Sequence, residues 1–134
     1  MAKSLSSLFD KVLVLINKYS EDGVRIPESE VIDMKMKIIP LFDTAHKDVF
    51  DSAKMVSTQT IPTDFIDIAN VTEVNYLADE AIVYYGAARI APFKKKELVT
   101  FFEDEWLRLR SRCANKASEV AIIDVYNLNG EEEI

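Results

Sequence analysis

His46 and Cys113 are the only imidazole and the only thiol in the chain. Nucleophilic or soft-metal chemistry would have to be built around them, or else around carboxylates. His46 stands between Ala45 and Lys47, with Asp43 and Phe50 within about one helical turn. No nucleophile or ligand set accompanies it at matching spacing, so His46 is expected to be structural or at the surface. A lone cysteine excludes an internal disulfide and a cysteine-rich zinc site. Cys113 reads as a small helix residue without chemical consequence. Asp43, Asp48 and Asp51 come nearest to a carboxylate metal site. Asp48 and Asp51 share one helix face, but a hard cation needs further converging oxygens. Glu103, Asp104 and Glu105 are consecutive and point in different directions around a helix. Both groups read as solvated helix faces.

No GxGxxG, Walker loop, GxSxG or HExxH pattern occurs. Glycine is found only at Gly23, Gly86 and Gly130, which leaves little material for a phosphate-cradling loop. No cofactor, no resident metal and no enzymatic activity are expected. The net charge of -7 argues against nucleic-acid binding over a broad surface, which needs clustered Lys and Arg. Two basic features stand against this acidic background: Lys94, Lys95 and Lys96 at the start of the last helix, and Arg108, Arg110 and Arg112 near its end. Lysines at a helix N-terminus oppose the dipole, which hints at an outside anion. The competing reading is solvation with pairing to Glu97, Glu103 and Glu105. The pairs Tyr84-Tyr85 and Phe101-Phe102 should each turn one ring inward. Their outward members, together with Trp106, are candidate interface anchors, or are covered by the linker or the terminal arm.

The elements that must position these residues are mostly helices. At 134 residues with 49% hydrophobic content, the chain suits one domain with a real core. No apolar run approaches the ~18 residues of a membrane span, and the first residues do not read as a signal peptide. Leu5, Leu8, Phe9, Val12, Leu13, Ile16 and Tyr19 recur at helical spacing and predict a helix over 4–19, closed at Gly23. Ile26-Pro27 is extended. A second helix runs from Pro27 or Glu28 to about Met55, with Met34, Ile38, Leu41, Phe42, Ala45, Val49 and Ala53 inward. Pro40 within it predicts a kink or a break at Ile39. Residues 57–62 form a linker or short strand, and Thr63 is a cap for a single helical turn over 63–68. A third helix covers about 72–90, narrowed by Gly86, Ala87 and Ala88 so that a neighbour can approach closely. The fourth covers about 94–115 with Leu98, Phe101, Phe102, Leu109 and Cys113 inward and Trp106 near the edge. The expected fold is therefore mainly α, a compact bundle of about four long helices over residues 1–116.

Residues 117–134 differ. Val120, Ile122, Ile123, Val125 and Tyr126 belong to a β-branched stretch without a helical stripe, which predicts a strand or extended arm ending in an acidic tip, Glu131 to Glu133. Such an arm can add to a sheet edge on another protein, and is expected to be mobile in a free monomer.

The order of segments resembles a known family. Leu8 to Tyr19, then Ser20-Glu21-Asp22-Gly23, Ile26-Pro27 and a long helix from Glu28 form one recurring opening. Thr60-Ile61-Pro62-Thr63-Asp64-Phe65 resembles a hydrophobic-Pro-x-Asp-Phe step. Ala81 to Ala88, Phe101 to Trp106, and Ile122 to Tyr126 resemble the segments that follow. In these features the chain is similar to head-tail adaptor (connector) proteins of siphophages and myophages of Gram-positive bacteria. Relatives often carry a β-rich insertion after the Pro-x-Asp-Phe step; here only Ile68 to Val71 fills that place. The resemblance implies a virion protein at the head–tail interface, present in the host cytoplasm during assembly. It implies a dodecameric ring docked on the portal protein and facing the stopper or tail-completion protein. DNA would pass through its channel without specific binding, and no membrane is involved. On this reading the arm residues, Lys94 to Lys96 and Trp106 contact partners. Other readings are a tail-completion or stopper protein, for which more strands are expected, a cytoplasmic helical interaction or regulatory module, and a helical-bundle enzyme with a carboxylate metal site.

Overall fold

The computed structural model describes residues 3–18, 27–55, 58–90 and 96–130, with side chains described up to Cys113. The described residues form four helices: α1 (Leu5–Lys18), α2 (Glu28–Ala53), α3 (Tyr76–Ile90) and α4 (Lys96–Gly130). The fold is mainly helical, as the periodicity predicts, and no extended strand occurs among the described residues.

Local sequence accounts for most of the helix starts. Ser4 caps α1, its Oγ accepting the Ser7 N–H at 3.2 Å. Leu5, Leu8, Phe9, Val12 and Ile16 then form a fully buried stripe. Pro27 precedes α2 with φ -56° and ψ 144°, and Glu28 and Glu30 favour the positive end of the helix dipole. Asn75 caps α3 by accepting the Ala78 N–H at 3.0 Å.

α2 does not break at Ile39; it is continuous through Pro40. Pro40 lies on the exposed side, as does Met36, whose carbonyl loses its usual donor there. Water can reach that carbonyl, so the missing hydrogen bond does not end the helix. Thr44 Oγ1 donates to Pro40 O at 3.0 Å and adds local support.

The core sits between α2 and α3. Each of these packs against every other helix, whereas α1 and α4 do not meet among the described residues. α3 is buried around much of its circumference, with Leu77, Ala78, Ala81, Ile82, Val83, Gly86, Ala87 and Ala88 all inside. Small residues make this possible. A Cβ on Gly86 would lie 2.8 Å from Phe42 Cε1 and 2.9 Å from Ile38 Cδ1, so the expected close approach is to α2. On α4 the buried positions are Phe102, Trp106, Leu109 and Cys113, a regular helical stripe.

α3 begins at Tyr76 rather than near Thr72 because the preceding residues are extended. Val71 bridges antiparallel to Ser4, and Val74 to Lys54. The segment is thereby threaded between the start of α1 and the end of α2. Met55 N–H donates to Glu73 O at 3.1 Å, and Asn75 N–H to Ala53 O at 3.0 Å. No helical turn forms over 63–68; that stretch is irregular, with a turn only at Ile68 and Ala69.

Where an extended arm is expected over 117–134, the backbone of residues 117–130 is helical. It continues α4 to Gly130. From Lys96 to Asn129 the chain contains neither Gly nor Pro. Elongating an existing helix adds one hydrogen bond per residue fixed. The modest helical cost of Val and Ile does not interrupt it. Residues 131–134, the acidic tip, lie outside the described residues.

Candidate functional site

The densest polar cluster joins α2 to the loop over 58–75 and is centred on His46. The ring is fully buried, 4.4 Å from the Phe65 ring and 5.9 Å from that of Phe50, centroid to centroid. Its Nε2 accepts the backbone N–H of Glu73 at 3.1 Å. Burial lowers the imidazole pKa, with Lys47 adding to the effect while Glu73 and Asp43 oppose it. The neutral ring therefore carries its proton on Nδ1, which has no hydrogen-bond partner. His46 is a structural pin for the loop.

Carboxylates close the same clamp. Asp43 Oδ1 accepts the Phe65 N–H at 3.0 Å, and Lys47 bridges Asp43 at 3.0 Å and Asp64 at 2.6 Å. Burial pushes the Asp43 carboxyl up, but the Phe65 N–H and the Lys47 ammonium outweigh it and hold it below its ordinary value. Glu73 accepts the Thr63 N–H at 2.8 Å, the Thr63 hydroxyl at 3.1 Å, and the Gln59 amide. Burial raises its pKa and these donors more than reverse it. Thr63, expected as a helix cap, instead ties the loop to Glu73. Every one of these bonds runs between parts of the chain, and none of the carboxylates is left to converge on a ligand.

The candidate metal residues are dispersed. Asp48 Oδ1 pairs with Arg110 of α4 at 2.9 Å, and Asp51 is exposed. Among the described residues no group of three His, Cys, Asp or Glu side chains is placed to hold a metal ion. Arg108 pairs with Glu105 at 2.7 Å, and Glu103 pairs with Arg89 of α3 at 2.9 Å.

Of the residues expected to contact partners, Lys94 and Lys95 lie outside the described residues. Lys96 begins α4 and is exposed, beside Glu97, Thr100, Phe101 and Asp104. Val120, Ile122, Ile123, Val125 and Tyr126 are in the helical backbone of α4, and their side chains lie outside the described residues. Trp106 is corrected: it is only 3% exposed, packed edge-on against Tyr85 at 4.9 Å. It anchors α4 to α3 rather than waiting for a partner. Phe102 is fully buried and Phe101 40% exposed, so that pair divides as expected. Tyr84 and Tyr85 are both half-buried.

A surface feature without polar motif, and so missed in the sequence, lies on the outer side of α2. Ile32, Met36 and Ile66 are 61%, 72% and 83% exposed. With Ile39 and Ile68 they line a shallow groove of about 280 Å³, edged by Lys35 and Asp67. Ile32, Met36 and Ile39 follow helical spacing, which could have marked a second apolar stripe on α2. The loop turn at Asp67 to Asn70 brings Ile66 and Ile68 to it. Asn70 Oδ1 accepts the N–H groups of Ile66 and Asp67, each at 2.9 Å. No described helix is long and apolar enough to cross a membrane. Compared with family models, curated proteins and solved structures, the chain matches none.

Proposed function

We propose that this chain is a structural connector, a ring-forming virion protein between the portal and the tail that performs no catalysis. One observation of the structure carries the assembly part of this reading: the apolar groove of Ile32, Met36, Ile39, Ile66 and Ile68. A contiguous cluster of strongly exposed aliphatic side chains suits a protein–protein contact better than open solvent. The polar cluster at His46 spends its bonds on holding the loop, and the loop in turn presents Ile66 and Ile68 beside α2. The rigid part of the molecule thus displays an apolar surface.

The connector part rests on the resemblance of the segments over 8–28, 60–65, 81–88 and 101–106 to head-tail adaptors. In a closed ring each subunit repeats the same weak contact, so modest patches suffice through multivalency. The net charge of -7 suits a wall past which DNA slides without sticking.

The test is assembly of the double variant Met36→Lys with Ile66→Asp onto purified portal. Wild-type chain is expected to add to portal as a ring seen by electron microscopy. The variant is expected to keep its helical circular-dichroism signal and fail to add. Addition of the variant at wild-type level would remove the groove from the account.

A further inference from the structure

Asp79 lies in the first turn of α3 and is 1% exposed. Its backbone N–H reaches Asn75 O at 3.0 Å, but neither carboxyl oxygen has a hydrogen-bond partner. A buried acid in that condition is costly once ionised, because nothing replaces the water it has lost.

Two of the residues that act on its carboxyl, Lys3 and Thr72, belong to a thin strap. Lys3 and Ser4, ahead of α1, lie antiparallel to Val71 and Thr72, ahead of α3. Thr72 N–H donates to Lys3 O at 2.8 Å, and Lys3 N–H to Thr72 Oγ1 at 3.4 Å. Leu5 N–H donates to Asn70 O at 2.8 Å and Ser6 N–H to Ile68 O at 3.0 Å. The strap is one bridge wide and is continuous with the first turn of α1.

The groups around the carboxyl come from each neighbouring element. The loop supplies the Thr72 hydroxyl, which closes no hydrogen bond of good geometry to it. The strap supplies Lys3 and α1 supplies Lys11; burial outweighs these groups and pushes the carboxyl up to about 6. On α3 itself the next residue, Glu80, acts on Lys11 as Asp79 does.

We propose that Asp79 is a proton-controlled latch for the amino-terminal strap. Protonated, it packs beneath the closed strap. Ionised, it favours an open strap, in which water and the ammonium groups of Lys3 and Lys11 reach the carboxylate. The sign follows from linkage. The covered acid holds its proton more tightly than a solvated one, whose ordinary value is 3.8, so opening becomes easier as pH rises from there to about 6 and then levels off. This device is independent of the connector reading.

The experiment is amide hydrogen exchange on the full chain at about pH 5 and about pH 7, corrected for the intrinsic exchange rate. Opening at Leu5, Ser6 and Thr72 is expected to rise about tenfold over that interval and to remain more frequent than the global opening read at Ile82 and Val83 inside α3. Asp79→Asn is expected to abolish the rise. The same rise in Asp79→Asn, or opening at Leu5, Ser6 and Thr72 no more frequent than at Ile82 and Val83, would overturn the latch. A second readout needs no variant. The Asp79 carboxyl ¹³C shift is expected to titrate near 6, and a midpoint at the ordinary carboxylate value would also overturn it.

Discussion

The Nε2 of His46 accepts the backbone N–H of Glu73 at 3.1 Å, across 27 positions of sequence. That one bond fixes the loop before α3 against the middle of α2. It can exist only while the imidazole is neutral, since a protonated Nε2 has no lone pair to offer. Its dependence on pH is therefore determined. Burial holds the folded imidazole below its ordinary 6.5, so the unfolded chain takes the proton more readily. This contribution to stability is complete above 6.5 and is lost as pH falls through the lowered value. His46→Leu should cost about 1–3 kcal/mol at neutral pH, because the Glu73 N–H loses its acceptor. It should also lose this acid-side slope. Urea unfolding of both chains at several pH values measures the two effects.

Asp79 contributes the opposite slope. Its folded pKa is raised to about 6 from 3.8, so its stabilising contribution is present below 3.8 and is lost as pH rises to about 6. Asp79→Asn should therefore stabilise the protein at neutral pH, by up to roughly 3 kcal/mol, and do little at about pH 4. His46 and Asp79 act with contrary sign. Wild-type stability alone would hide both, and the two single variants separate them.

Gly86→Ala sets two effects against each other. Alanine favours a helix interior by about 1 kcal/mol over glycine. The new methyl would stand 2.8 Å from the Phe42 ring and 2.9 Å from Ile38, both fully buried, so these side chains would have to shift. Overpacking a tight core costs about 1–3 kcal/mol, so the net change should be destabilising. A lowered midpoint in chemical denaturation is the expected result.

Trp106→Ala and Arg110→Ala should differ sharply, although both residues lie on α4. Trp106 is inside and stacked edge-on with Tyr85, so its truncation should cost about 3–5 kcal/mol. Arg110 pairs with Asp48 while remaining about half exposed, so its removal should cost less than about 1 kcal/mol and matter less at high salt. Thermal unfolding in low and high salt distinguishes them.

The helices were legible in the sequence because a buried stripe leaves a local, periodic trace. Leu5 to Ile16 and Met34 to Ala53 show this directly. The narrow face at Gly86 was legible too, since small residues in a helix invite a neighbour. Contacts made across long separations left no such trace. His46 looked ordinary because its partner, Glu73, offers a backbone N–H that no residue type announces. Nothing beside Asp79 in the sequence marks it as buried, because one of the groups that act on it, Lys3, stands far from it along the chain. Trp106 was placed at an edge because the stripe was drawn through Phe101, whereas Phe102, Trp106, Leu109 and Cys113 form it. Val120 to Tyr126 suggested a strand by composition, yet a preceding helix without a breaker carries its backbone on.

The connector reading is tested most directly by electron microscopy of purified phage particles encoding this chain, with its density identified by mass spectrometry. The account predicts a closed ring of this chain directly beneath the portal, with Met36 and Ile66 buried against a neighbouring subunit or the portal. Particles that lack the chain, although infected cells contain it, would contradict the account and favour a regulatory or assembly role in the cell.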